Sequence, residues 1–182
     1  MDFYKELSSH GYQLIILRVH AAGTSAVGSI ELSLFTCENY SRFEHVGEQV
    51  YRQVGIVSYT PTSQKFFGIS PNFVRDCMKE RFSNTTIIMM GCDGLEGTQM
   101  AKAFIDKGAK IYMAWNSSIT AGHTDTATEN LLRHLVIERK TFAEAVQTTM
   151  KEIGPDPACQ SYLTYYPAEA GQKKIDNTAT AK

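Results

Sequence analysis

Apolar positions along the chain gather in short continuous runs, parted by polar turns that carry glycine. "YQLIILRVH" (12–20) is apolar and β-branched after Gly11, which predicts a buried strand with His20 just past its carboxyl end. "SIELSLFT" (29–36) alternates apolar and polar residues, the pattern of a half-exposed strand, and is expected to pair with "VGIVSYT" (54–60). The stretch between them, "CENYSRFEHVGEQVYRQ" (37–53), is polar and reads as a binding loop.

The pattern then turns helical. In "SPNFVRDCMKERF" (70–82), Ser70 stands at the cap position, Pro71 opens the helix, and Phe73, Val74, Cys77 and Met78 recur at helical spacing, so Cys77 faces the core. "TTIIMMG" (85–91), a helix over 98–109 closed by Gly108, and "KIYMAW" (110–115) form a βαβ unit, which must be parallel and right-handed. Strands this apolar need cover on both faces. Helices over 122–139 and 141–154, a turn cluster at 154–160 and a last strand at 161–166 follow, and residues 168–182 hold too few apolar side chains to pack. The expectation is one α/β domain over 1–167, a three-layer αβα sandwich with a mostly parallel sheet, and a polar tail.

Composition narrows the partners. With 182 residues, 43% of them hydrophobic, and a net charge of -1, the chain can bury a full core and has no basic stripe for nucleic acid or anionic lipid. No apolar run approaches bilayer-spanning length, and the first eleven residues carry Asp2, Lys5 and Glu6 where a signal peptide would be apolar, so a cytoplasmic protein is expected. Cys37, Cys77, Cys92 and Cys159 stand far apart without a C-x-x-C pair, which predicts free thiols and neither a metal site nor another cofactor.

Two residues carry chemistry by position. Ligands of parallel sheets bind outside the carboxyl ends of the strands, and both His20 and Cys92 stand at such ends. An imidazole and the positive end of the helix beginning near Gly97 would each lower the pKa of the Cys92 thiol. The amides of "HAAG" and "GCDG" could bind an oxyanion. The ordinary alternative is a structural thiol and a strand-end histidine. The glycines of 91–97 lack the nucleotide-binding spacing. His123 and Asp125 could form a second acid–base pair or a triad with Cys92, although a helix start favours Asp for its dipole alone. His134 reads as structural, His10 and His45 as surface residues.

"LIILRVHAAG" and "TIIMMGCDG", in that order and followed by "MAKAFIDKGAKIYMAWNSSIT", resemble the blocks of the caspase-like cysteine peptidases, the clan of caspases, gingipains, clostripain, legumain and separase. The resemblance spans roughly residues 12–140. It implies a caspase-like fold and hydrolysis of a peptide or protein substrate, with Cys92 as nucleophile and His20 as proton carrier. The backbone N–H groups of Ala21, where the clan usually has glycine, and of Cys92 would form the oxyanion hole. Trp115 and Asn116 would bind substrate backbone, with core packing the other reading of Trp115, and Asp93 would select a basic P1 side chain or merely form a turn. The clan's sheet normally begins with a strand and helix before the histidine strand, and only "MDFYKELSSHG" stands there, so an exposed edge and a homodimer are expected. Two competing readings are an α/β-hydrolase-type enzyme, with Cys92 on an elbow and His123 or His134 as base, and a non-catalytic caspase-like or flavodoxin-like module that binds a partner through 37–53.

Overall fold

A computed structural model describes residues 1–26 and 29–176. In chain order the main elements are α1 (Asp2–Glu6), β1 (Leu14–Leu17), β2 (Ala21–Ala26), β3 (Ser29–Asn39), α2 (Val46–Val50), β4 (Val54–Ser58), β5 (Lys65–Ile69) and α3 (Pro71–Asp76). They continue with β6 (Thr86–Met89), α4 (Gln99–Asp106), β7 (Ile111–Trp115), α5 (Ala121–Leu132), α6 (Phe142–Ile153) and β8 (Leu163–Tyr166).

The protein is α/β, and its strands divide into two sheets. The first has the order β1-β6-β7-β8, with β1, β6 and β7 parallel and β8 antiparallel at the edge. Successive residues of β6 point to opposite faces, so the apolar run "IIMM" feeds two cores at once. Ile87 and Met89 pack with Phe73, Val74, Met100 and Phe104 of α3 and α4. Ile88 and Met90 pack with Ala127, Leu131, Phe142 and Ala145 of α5 and α6.

The second sheet departs from the three-layer expectation. It is antiparallel in the order β2-β3-β5-β4, and Leu34, Val54, Phe67 and Ile69 on its inner face join the core beneath α3 and α4. Segments 29–36 and 54–60 are therefore not neighbours: β5 lies between them, pairing with β3 on one side and β4 on the other. Arg18–His20 form the seam where the chain leaves the first sheet and enters the second.

Three boundaries also move. α3 keeps its expected cap, with Ser70 Oγ accepting from the N–H groups of Asn72 and Phe73 at 3.1 and 3.4 Å, but ends at Asp76. There the Lys107 ammonium takes the carbonyls of Arg75 and Met78 at 3.0 and 2.6 Å in place of another helical turn. The helix expected over 122–139 stops at Leu132 and widens into a π turn over Arg133–Ile137. Of the expected polar tail, residues 168–176 pack: Ala170 is 1% exposed, Phe142 N–H donates to Lys173 O at 2.9 Å, and Lys110 Nζ meets Asp176 at 2.7 Å. Residues 177–182 lie outside the described residues. Among those described, no helix is long and apolar enough to cross a membrane.

Candidate active site

The parallel pairing of β1 with β6 decides where His20 and Cys92 emerge. Leu17 lies opposite Met89, and Met90 N–H extends the ladder to Leu17 O at 2.9 Å. Each chain then runs three residues beyond its strand. A Cβ at position 91 would stand 2.1 Å from Val19 O, so glycine lets the two ends approach this closely. Arg18, Val19 and His20 face Met90, Gly91 and Cys92 across a cavity of about 160 Å³ closed by Ile119, Ala121 and Thr124.

Cys92 is half-buried and bonded. Its Sγ accepts the Ile119 N–H at 3.4 Å and donates to Ile119 O at 3.6 Å. The Ile119 N–H can bond the sulfur as thiol or thiolate, whereas its C=O can bond only the thiol. The helix that presents its positive end to this thiol is α5, whose Ala121 and Thr124 line the cavity; α4, expected in that role, begins at Gln99 and is not part of the wall.

His20 is exposed and held by rings. Tyr59 meets it at right angles, with centroids 4.8 Å apart and planes at 87°, and Phe35, 5.0 Å from Tyr59, lies 5.9 Å away. The sequence reading passed over Tyr59, whose only signal was an aromatic residue at a strand end. Phe35 N–H donates to His20 O at 3.0 Å, and Ala21 lies opposite Leu34. Antiparallel pairs alternate between bonded and non-bonded, so the Ala21 N–H points away from β3. The remaining charge on the wall is Arg18, whose Nε and Nη2 grip Asp125 at 3.0 and 2.9 Å and hold its carboxyl below the usual range.

Other expected site residues sit elsewhere. Trp115 is 1% exposed in the second core and supports the cavity only indirectly: its Nε1–H donates to Thr124 Oγ1 at 3.0 Å, and Thr124 donates to Met90 O at 2.9 Å. Asn116 is exposed, but its Oδ1 accepts from Tyr162 N–H at 2.8 Å. The backbone of 115–117 is engaged within the protein, with Trp115 O bonded by Leu95 N–H, Asn116 N–H by Tyr162 O, and Ser117 O by Asp93 N–H. Those three groups are not open to a substrate. Asp93 has φ +59° and accepts from Ser118 Oγ at 3.3 Å, which makes it the former of the turn after Cys92.

Neither alternative base reaches the thiol. His123 donates to Gly154 O at 3.2 Å with its ring 5.5 Å from Trp115, and its expected partner Asp125 is bound to Arg18 instead. His134 is fully buried on the π turn between Glu138 at 3.0 Å and Glu152 at 3.2 Å. Among the described residues, no three His, Cys, Asp or Glu side chains converge as metal ligands. No family model, curated protein or solved structure matches this chain.

Proposed function

We propose that this protein is a caspase-like cysteine endopeptidase. The observation that carries the reading is the meeting of His20 and Cys92 in one cavity at the carboxyl ends of two adjacent parallel strands. Cys92 attacks the scissile carbonyl as thiolate, and the N–H groups of Ala21 and Cys92 bind the oxyanion. His20 carries the proton to the departing amine. Water then hydrolyses the acyl-enzyme thioester, with His20 now accepting its proton. The mostly parallel first sheet, covered on both faces, supports the reading while the antiparallel second sheet is no part of the expected sandwich, and four free thiols fit a reducing, cytoplasmic compartment. A second copy could pair along β1, one of the two outer strands of the first sheet.

Cleavage of a fluorogenic peptide library tests the reading. Cys92→Ala and His20→Ala are each expected to reduce turnover about 10⁴-fold or more. His123→Ala should keep wild-type turnover within a few-fold; loss there with His20→Ala active would point to the hydrolase-type arrangement. A partner-binding module is the second reading, favoured by Phe43, Val46, Val50 and Tyr51, which stand 53–76% exposed around α2. It gains if no variant, including wild type, cleaves any peptide.

A further inference from the structure

Asp156 is an ionisable side chain without any exposed surface, in the turn that joins α6 to β8. Its two oxygens accept four hydrogen bonds. Oδ1 takes the N–H groups of Ala158 and Cys159 at 2.8 and 2.7 Å. Oδ2 takes both the N–H and the hydroxyl of Thr120, at 3.1 and 2.6 Å. The Thr120 hydroxyl first, and then the three backbone N–H groups, hold the carboxyl far below its usual range, so it is buried as the anion. Two of these bonds leave its own turn and fix the residue that precedes α5.

Thr120 is the neighbour of Ile119, whose N–H and C=O hold the Cys92 sulfur, and of Ala121, which lines the cavity. Thr120 caps α5 without using its hydroxyl on the helix; that group is turned to Asp156. We infer that Asp156 is a positioning residue for the Cys92 nucleophile, clamping Thr120 so that the Ile119 N–H and the positive end of α5 stay aimed at the sulfur. This inference rests on the proposed role of Cys92.

The electrostatic and positional effects of Asp156 on Cys92 have opposite signs, which makes them separable. Removing a nearby negative charge favours the thiolate and speeds alkylation. A merely structural turn residue, once lost, opens the site and also speeds it. Loss of the clamp removes both the Ile119 N–H and its C=O from sulfur, and because the bond to the charged thiolate is the stronger of the two, alkylation slows.

Iodoacetamide labelling at pH 7, quantified peptide by peptide with exposed Cys37 as internal reference, reads the difference. Asp156→Asn is expected to slow Cys92 about tenfold, the loss of one hydrogen bond to a charged acceptor. Thr120→Val, which keeps the Asp156 charge, should slow it about threefold, and Thr120→Ser should rescue it. An unchanged or faster Cys92 in a folded Asp156→Asn protein overturns the inference. Should that variant not fold, an unchanged rate in Thr120→Val overturns it alone. Wild-type Cys92 reacting no faster than Cys37 would instead remove the nucleophile, and with it anything to position.

Discussion

The two sheets put the same residue types to different uses. Every residue of β6 and β7 is buried, because helices cover one face of the first sheet and helices with the second sheet cover the other. In β4 of the second sheet burial is uneven: Val54 and Ile56 share one face, yet Val54 is buried and Ile56 is 44% exposed, and Val57 is buried on the other face. Cys92 grows from the first sheet and is fixed by hydrogen bonds to Ile119. His20 sits at the seam, held by the rings of Phe35 and Tyr59 on the second sheet. The difference teaches that the nucleophile grows from the uniformly buried sheet and its proton carrier from the seam with the sheet whose burial is uneven.

Stability measurements can break that contrast. Phe104→Ala, which empties a fully buried site stacked 5.5 Å from Tyr112, should cost about 3–5 kcal/mol in urea unfolding. Ile56→Ala in β4, at 44% exposure, should cost under about 1 kcal/mol. Equal losses would mean that the sheets are equally buried in solution. Gly91→Ala acts on the seam: its methyl meets Val19 O, so a loss of about 1–3 kcal/mol is expected, together with lowered turnover as His20 and Cys92 are pushed apart. Wild-type stability in that variant would show that the strand ends are looser than described.

Tyr59→Ala sharpens the comparison further. It should lower kcat/KM about tenfold with KM little changed, and Tyr59→Phe should restore it, because the ring contact and not the hydroxyl orients His20. A defect of equal size in Tyr59→Phe would assign the role to the hydroxyl. The smallest effect lies far from the seam. The Lys140 ammonium first, and then His134, pull the Glu138 carboxyl from its ordinary 4.5 to about 2. A carboxyl with a depressed folded pKa contributes stability above its unfolded value, and that contribution is lost as the pH falls from 4.5 toward 2. The fall in Tm between pH 5 and pH 3 should therefore be slightly smaller in Glu138→Gln; an identical fall would show the pair to be idle.

The same contrast explains what the sequence disclosed. Strands β6 and β7 were legible because burial on both faces leaves an unbroken apolar run, and the parallel βαβ order follows from length alone. β2, "AAGTSA", has small residues without a period, and β5, "KFFGI", is five residues behind a polar turn, so the second sheet and the strand between β3 and β4 stayed hidden. The packed segment 168–176 escaped because it is anchored by backbone and ionic contacts, with Ala170 as its buried side chain. At the site, chain order was enough to place His20 and Cys92 at strand ends. The tertiary contacts of Trp115, Ile119, Tyr59 and Asp156 leave no local pattern to read.

The most direct test of the dyad is to label the protein with a peptidyl acyloxymethyl ketone, which captures a thiolate beside a proton carrier, and to map the adduct by mass spectrometry. The account predicts one adduct, on Cys92, formed far more slowly in His20→Ala. Labelling spread over Cys37 and Cys159, or equally fast on Cys92 without His20, would contradict it.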